Sequence, residues 1–265
     1  MTDEARSIAG AEFWTELRRL TAARIGLRRS GASLATAPLL EFRLAHARAR
    51  DAVHEPLDEA RLTSDLAGLG LPVVAVASAA QDRQQHLMRP DLGRVLAPES
   101  EPLLTPHASA FDAVFVIADG LSARAVQAHA PPTLAALLPI LRGDNWRIAP
   151  LVVVRLGRVA IGDAIASQLQ ADCAVVLIGE RPGLSAQDSM GAYLTWRPGP
   201  QTTDADRNCI SNIRPEGVGH AEAAFKLAHL LRAMRTRRIS GVPLKDDSDR
   251  TFVATIESDK PGSSS

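Results

Sequence analysis

The sequence has few cysteines and aromatic residues, no excess of either charge and no long apolar run. Its two cysteines, Cys173 in an apolar segment and Cys209 in a polar one, exclude a disulfide framework and a cysteine-based metal site. The 30 Lys and Arg residues are balanced by 30 Asp and Glu, so the chain lacks the basic excess that nucleic-acid binding requires. No run is apolar over the length of a bilayer, and MTDEARSIAGAEFW at the start lacks the features of a secretory signal. These absences favour a cytoplasmic protein without nucleic-acid or membrane partners.

The two ends of the chain differ from its middle. Apolar residues recur at helical spacing from Phe13 to Leu27 and again from Leu39 to Val53 after the start signal Thr36-Ala-Pro38, so two amphipathic helices are predicted. We therefore expect a small N-terminal helical domain over residues 1–57. Residues 245–265 are rich in Asp, Ser and Lys and are predicted to form a disordered tail.

Residues 58–244 alternate between strand and helix patterns. Apolar runs predict strands at 73–76, 111–118, 147–156 and 174–178. Helical segments of roughly ten to twenty residues separate the later runs, which predicts right-handed βαβ units in a parallel sheet covered by helices on both faces. The predicted fold class is therefore α/β, with a parallel sheet covered by helices that follows the N-terminal helices. Towards the end, an edge strand at 193–196, a polar loop at 206–212 and a helix from 220 to 234 are predicted.

Three successive strands finish in polar turns that contain glycine. These turns are Asp119-Gly120, Gly157-Arg158-Val159 and Gly179-Glu180-Arg181-Pro182-Gly183. Because the carboxyl ends of parallel strands lie on one side of a sheet, we expect the turns to form a common rim together with the polar loop at 206–212. Such a rim suits a large, flat ligand. Ordinary solvated turns are the alternative, since every α/β protein places turns there.

The common catalytic signatures are missing from the sequence. It contains no Gly-x-x-x-x-Gly-Lys-Ser/Thr, no Gly-x-Ser-x-Gly and no His-Glu-x-x-His, and its histidines lack metal-ligand spacing. We therefore expect neither catalytic nor metal-ligating residues in this chain. Three functions stay open: a cofactor-holding subunit completed by another chain, a nicotinamide-dependent oxidoreductase, or a non-catalytic interaction or assembly module without its own cofactor. The second is disfavoured because no Gly-x-Gly-x-x-Gly follows a strand, and the third would use the arginines between Arg18 and Arg50 for docking.

Five motifs, spread in order along the chain, resemble the small (light) subunit of ethanolamine ammonia-lyase. They are Arg89-Pro-Asp-Leu-Gly-Arg94, Val116-Ile-Ala-Asp-Gly-Leu-Ser122, Leu156-Gly-Arg-Val-Ala-Ile-Gly-Asp163, Val176-Leu-Ile-Gly-Glu-Arg-Pro-Gly183 and Asp206-Arg-Asn-Cys-Ile-Ser-Asn-Ile213. The resemblance implies an adenosylcobalamin-dependent lyase that converts ethanolamine to acetaldehyde and ammonia by a radical mechanism. It also implies a hetero-oligomer, in which a large subunit holds the substrate and the small subunit covers the cobalamin. In that family the small subunit consists of a helical N-terminal domain followed by a Rossmann-like domain.

Carried over residue by residue, the family's cobalamin contacts fall on Val159, Glu180 and Cys209. The residues alone allow other interpretations: Val159 packing against the next helix, Glu180 paired with Arg181 in solvent, and Cys209 as a small buried apolar residue. The corrinoid signature Asp-x-His-x-x-Gly is absent, and the resemblance implies that the cofactor keeps its benzimidazole on cobalt. Some relatives carry an N-terminal extension that directs them to a bacterial microcompartment. That extension is short here, so the cytoplasm is the expected location and a microcompartment the alternative.

Overall fold

The computed structural model describes residues 13–21, 23–27 and 29–248. Most of the predicted tail, residues 249–265, lies outside the described residues, and its disorder stays a prediction, as does the domain boundary at 57/58. Residues 245–248 contact the fold, since the Asp247 carboxylate lies 2.8 Å from Nε2 of His229 and Ser248 is buried.

The N-terminal part contains two helices joined by a short hairpin. Helix α1 covers residues 13–19 and is shorter than predicted. The chain bends at Leu20 and again at Gly26, which has a φ of +57°. Strands β1 (Arg29–Ser30) and β2 (Ser33–Leu34) pair antiparallel where only a break between helices was predicted. Helix α2 spans Thr36–His54 and buries only Ala45 and Ala52.

A six-stranded sheet forms the centre of the molecule. Its strands are β3 (Val73–Ala77), β4 (Phe111–Ala118), β5 (Leu151–Arg155), β6 (Ala171–Gly179), β7 (Met190–Trp196) and β8 (Arg207–Ile213). The spatial order is β3-β5-β4-β6-β7-β8, with the first four strands parallel and the last two antiparallel. The predicted α/β fold is therefore confirmed, and the parallel sheet carries an antiparallel extension at one edge.

Two predictions near this edge are wrong in detail. Strand β7 pairs on both sides and is not an edge, whereas the predicted loop at 206–212 is the edge strand β8. The pairing shifts by one residue between Met190 and Ala192, so β8 carries a bulge and turns both Ile210 and Ile213 towards the core. The bulge breaks the strict alternation by which a strand is recognised in a sequence.

Helices cover both faces of the sheet. Helices α3 (Glu59–Ala67), α6 (Ala123–Gly143) and α8 (His220–Arg237) pack on one face, while α5 (Glu101–Leu104) and α7 (Ile161–Leu169) pack on the other. The β4 side chains alternate accordingly, because Phe115 and Ile117 join the first core whereas Val114 and Val116 join the second. Among the described residues, no helix combines the length and apolarity needed to cross a membrane.

Helix α6 continues without a break through prolines, which ordinarily end or kink a helix. Pro131, Pro132 and Pro139 lie inside the helix. A proline removes one backbone hydrogen bond and strains the preceding turn. The apolar side chains of α6, among them Leu134, Leu137, Leu138 and Leu141, are buried in the core, and their packing offsets that cost.

The strand order creates a crevice at one position of the sheet. Strand β4 leads into α6 on one face, and its neighbour β5 leads into α7 on the opposite face. Chains that leave adjacent strands towards opposite faces open a gap between their carboxyl ends, which is where open α/β sheets bind ligands. The turns after β4 and β5 lie at this gap.

Candidate functional site

The three polar turns converge on a strand-end cavity of about 440 Å³. Its lining includes Gly120 after β4, Arg158 and Val159 after β5, Gly179 and Glu180 at the end of β6, and Tyr193 of β7. The predicted rim is therefore present at the carboxyl ends of β4, β5 and β6. It lies beside the crevice created by the strand order.

A buried carboxylate holds the turns after β4 and β5 together. Asp119 is only 3% exposed, and its Oδ1 accepts a hydrogen bond from the backbone N–H of Gly157 at 3.1 Å. Its Oδ2 lies 3.4 Å from Nη1 of Arg83. Burial raises the pKa of Asp119 to about 6, against the opposing effect of the Arg83 charge. Any side chain at Gly157 would meet Ala118 and Val154 at 2.9 Å, so only glycine allows this close approach.

His86, on the short helix α4 (Arg83–Met88), lies buried beside the cavity. Its Nδ1 is 2.8 Å from the Leu156 carbonyl and its Nε2 is 2.9 Å from the Gly120 carbonyl. Burial, together with the nearby charges of Arg158 and Arg83, lowers the pKa of His86 to about 4. The ring is therefore neutral near pH 7, and its single N–H donates to one of the two carbonyls, so His86 supports one of the two turns by a hydrogen bond.

The Arg89-to-Arg94 motif positions Arg158. The carbonyl of Gly93 accepts a hydrogen bond from the backbone N–H of Arg158 at 2.7 Å, and the Arg158 guanidinium donates to the His86 carbonyl at 2.9 Å. A Cβ at Gly93 would lie 2.7 Å from Cγ of Arg158. A motif distant in sequence from the strand ends thus packs directly under the turn after β5.

Glu180 is fixed by the edge strand β8. Its carboxylate accepts a hydrogen bond from the Ser211 hydroxyl at 2.5 Å and one from the backbone N–H of Asn212 at 3.2 Å. Asn212 has a φ of +59°, an unusual value for a residue other than glycine, and this conformation accompanies the amide contact. The alternative in which Glu180 pairs with Arg181 is therefore wrong. Arg181 is exposed and forms no ion pair with any described residue.

Val159 and Cys209 occupy different places relative to the cavity. Val159 is half-buried, lines the cavity and also packs against the core beside α7, so the packing interpretation is confirmed and its assignment to cobalamin stays a prediction. Cys209 is exposed and lies opposite Tyr193 in the β7–β8 pairing, so it is not a buried apolar residue. The Tyr193 hydroxyl interacts with its thiol, and burial raises the pKa of Tyr193 to about 12. Cys209 therefore does not line the cavity itself but interacts with Tyr193, which does.

Sequence reasoning missed four residues of this site: Tyr193, Ser211, Arg83 and His86. Tyr193 and Ser211 belong to segments that the sequence marks as polar or edge-like, but their positions depend on the β7–β8 register. Arg83 and His86 precede the recognised turns by more than thirty residues along the chain, and nothing in their local pattern signals the contact. They reach the site because α4 packs beneath it.

The cavity offers groups for binding. Glu180 supplies an acceptor, Arg181 a cation, Gly120 and Gly179 supply approachable backbone, and Val159, Leu121 and Ile178 supply apolar contact. Among the described residues, no cluster of three or more His, Cys, Asp or Glu side chains has the arrangement of a metal site.

Comparisons with known proteins agree in one family. The family model described as "Ethanolamine ammonia-lyase light chain" matches residues 11–245. The chain is similar to the ethanolamine ammonia-lyase small subunit of Azotobacter vinelandii, with 52% identity over 248 residues that cover 92% of each chain. It is also similar to the small subunit of Ralstonia nicotianae, at 51% identity over 89% of each chain. A third relative, the small subunit of Pseudomonas fluorescens, is 49% identical over 94% of this chain and 90% of its own.

Proposed function

This chain belongs to the ethanolamine ammonia-lyase light-chain family, and on that premise we propose that it holds adenosylcobalamin against a large subunit during the conversion of ethanolamine to acetaldehyde and ammonia. The chain is the small subunit of a lyase, so a partner subunit follows from its family. The observation that carries the cofactor proposal is the convergence of Val159, Glu180 and Cys209 at one strand-end cavity. The family resemblance assigns these three residues to cobalamin independently of the structure.

The donor set of the cavity fits a corrin. A corrin ring is a broad apolar disc whose edge carries amide side chains, so it needs apolar contact on its face and hydrogen-bonding groups at its edge. Val159 and Ile178 supply the first, while Glu180 supplies an acceptor for the second. Ser211 and the Asn212 amide hold the Glu180 carboxylate in place, so its acceptor lone pairs have a fixed direction.

The residues of this chain would bind and orient the cofactor and exclude water. When bound, adenosylcobalamin supplies radical chemistry through cleavage of its cobalt–carbon bond. Val159 would press on the ring, Glu180 would accept from an edge amide, and Cys209 would contact the ring beside Tyr193. Burial of the corrin between two subunits keeps water from the reactive species.

We further propose that the cofactor keeps its benzimidazole on cobalt. His86 is the histidine buried beside the cavity, and both its ring nitrogens face backbone carbonyls, at 2.8 and 2.9 Å. Its imidazole is therefore engaged in supporting the turns.

For location we propose the cytoplasm, with a bacterial microcompartment as the alternative. Fractionation of cells grown on ethanolamine distinguishes the two.

The test is co-expression with a candidate large subunit, followed by titration of the complex with adenosylcobalamin. We expect a change in visible absorbance on binding and acetaldehyde formation from ethanolamine. Glu180→Ala is expected to raise the cofactor concentration for half-maximal activity about tenfold, the loss of a charge-assisted hydrogen bond, while assembly is unchanged. The exposed Glu99 lies away from the cavity, so Glu99→Ala serves as the matched control.

Two outcomes count against the proposal. A complex that assembles but takes up no cobalamin would favour the alternative of a non-catalytic assembly module. An unchanged cofactor requirement in Glu180→Ala would remove Glu180 from the site.

A further inference from the structure

A second cavity adjoins the strand-end cavity. This basic pocket has a volume of about 430 Å³ and lies between α2 and the chain that follows β6. It shares Leu121 and Arg181 with the strand-end cavity. The strand-end cavity and the basic pocket therefore form one continuous surface, along which a single large ligand can extend.

The basic pocket carries uncompensated positive charge. Arg50, Arg181 and His46 line it, and no carboxylate of the described residues does. Arg181 forms no ion pair within the described part of the chain. Arg50 lies 3.7 Å from Asp51, but both side chains are about 70% exposed, a geometry that neutralises little charge. The remaining wall is apolar and includes Val53, Leu87 and Leu184.

Arg83 fixes α2 relative to the turn after β4, which contributes Leu121 to the basic pocket. Its Nε donates to the Val53 carbonyl of α2 at 2.6 Å, and its Nη1 donates to the Gly120 carbonyl at 2.7 Å. The guanidinium is largely buried, with 16% of the side chain exposed. Because one residue bridges α2 and the turn after β4, the spacing of these two walls of the pocket is set before an anion binds.

We propose that the basic pocket binds the phosphodiester of the cobalamin nucleotide loop, with Arg181 as the main contact and Arg50 and His46 in support. This inference rests on the proposed function. The phosphodiester is the anionic group of a cofactor whose corrin edge consists of uncharged amides. A guanidinium matches phosphate oxygens in a bidentate geometry, and an apolar wall lowers the local dielectric and strengthens the pairing. The basic pocket would thereby set which way the ring lies in the strand-end cavity.

The test compares two cofactor forms on the assembled complex with its large subunit. Adenosylcobalamin carries the nucleotide loop, and adenosylcobinamide has the same corrin without it. Binding of each is measured by visible absorbance or calorimetry, without turnover. We expect Arg181→Gln and Arg50→Gln to weaken adenosylcobalamin binding about tenfold and to weaken adenosylcobinamide binding much less. Arg181→Lys, which keeps the charge, is expected to lose less than Arg181→Gln.

Arg48→Gln is the matched control, since Arg48 is an exposed arginine of α2 outside the pocket lining. It is expected to change neither affinity. Added salt should weaken adenosylcobalamin binding more than adenosylcobinamide binding. Equal losses for both cofactor forms, or no loss for either, would overturn the phosphate assignment while the proposed function stands. A wild-type complex that binds neither form would overturn the proposed function itself.

Discussion

Asp119 is a buried acid whose ionisation is tied to the architecture of the site. It is 3% exposed and its pKa is raised from 3.8 to about 6, mainly by burial. The folded state therefore binds the proton more tightly than the unfolded chain does. The stabilising contribution of the protonated form is fully present below pH 3.8 and is lost as the pH rises through about 6.

We predict that Asp119→Asn removes this pH dependence. The free energy of unfolding of the wild type, minus that of the variant, should fall by about 2–3 kcal/mol between pH 4 and 6 and stay level above that range. Urea unfolding at a series of pH values measures the difference. Asp51→Asn, at an exposed carboxylate of α2, is the matched control. A flat difference for Asp119→Asn would mean that the carboxyl titrates near its ordinary pKa.

Individual site residues were predictable where they follow a strand directly. Val159 and Glu180 belong to turns that the sequence marks by glycine and charge, and the structure places both at one cavity. Tyr193 and Ser211 were not predictable in this way, because a one-residue bulge decides which β7 and β8 side chains lie near Glu180. His86 reaches the site by packing between α4 and the strand ends, which no local pattern encodes.

The edge strand β8 is clamped to α7 by a buried ion pair. Arg207, whose side chain is 3% exposed, donates two hydrogen bonds to the Asp163 carboxylate, both at 2.7 Å. It also donates to the Thr195 hydroxyl at 3.0 Å. Since Ser211 and Asn212 lie on this strand and hold Glu180, the clamp supports the candidate site from a distance.

We predict that Asp163→Asn destabilises the fold by about 3 kcal/mol, because the Arg207 charge is left buried without its partner. The double variant Asp163→Leu with Arg207→Met should lose less than the single variant, since no unpaired charge remains. Urea unfolding tests both. The exposed pair Arg61–Asp65, at 3.8 Å, provides the control, and Asp65→Asn should change stability by less than about 0.5 kcal/mol. A double variant that is less stable than the single one would contradict this account of the clamp.

For helices and strands, the sequence predicts where a buried strand lies better than it predicts where a helix or strand is interrupted. Strand β4 has the predicted bounds, since a run of apolar residues covered on both faces has no other stable place. The prolines of α6 and the polar residues of β8 are local signals for a break, but long-range packing overrides both. A propensity describes an isolated segment, whereas burial of α6 and pairing of β8 depend on elements far along the chain.

For the molecule as a whole, the sequence order of strands and helices predicts the side of the sheet on which ligands bind. The gap between β4 and β5 follows from helices α6 and α7 lying on opposite faces. The identity of the partner subunit was not predictable from composition or periodicity. It was inferred from the five motifs that the chain shares with its family. Residues at a subunit boundary look like ordinary surface in a single chain, so only the family identifies what covers them.

The volumes of the two cavities predict how tightly the small subunit alone can bind the proposed cofactor. They measure about 440 and 430 Å³, which suits part of a corrinoid but not its whole volume. Only one side of the ring would be covered by this chain, and the other would stay in water. We therefore predict that the isolated small subunit binds adenosylcobalamin at least about a hundredfold more weakly than the complex with the large subunit, and forms no acetaldehyde. Parallel titrations of the two preparations by visible absorbance give the ratio. Equal affinities would show that this chain encloses the cofactor alone.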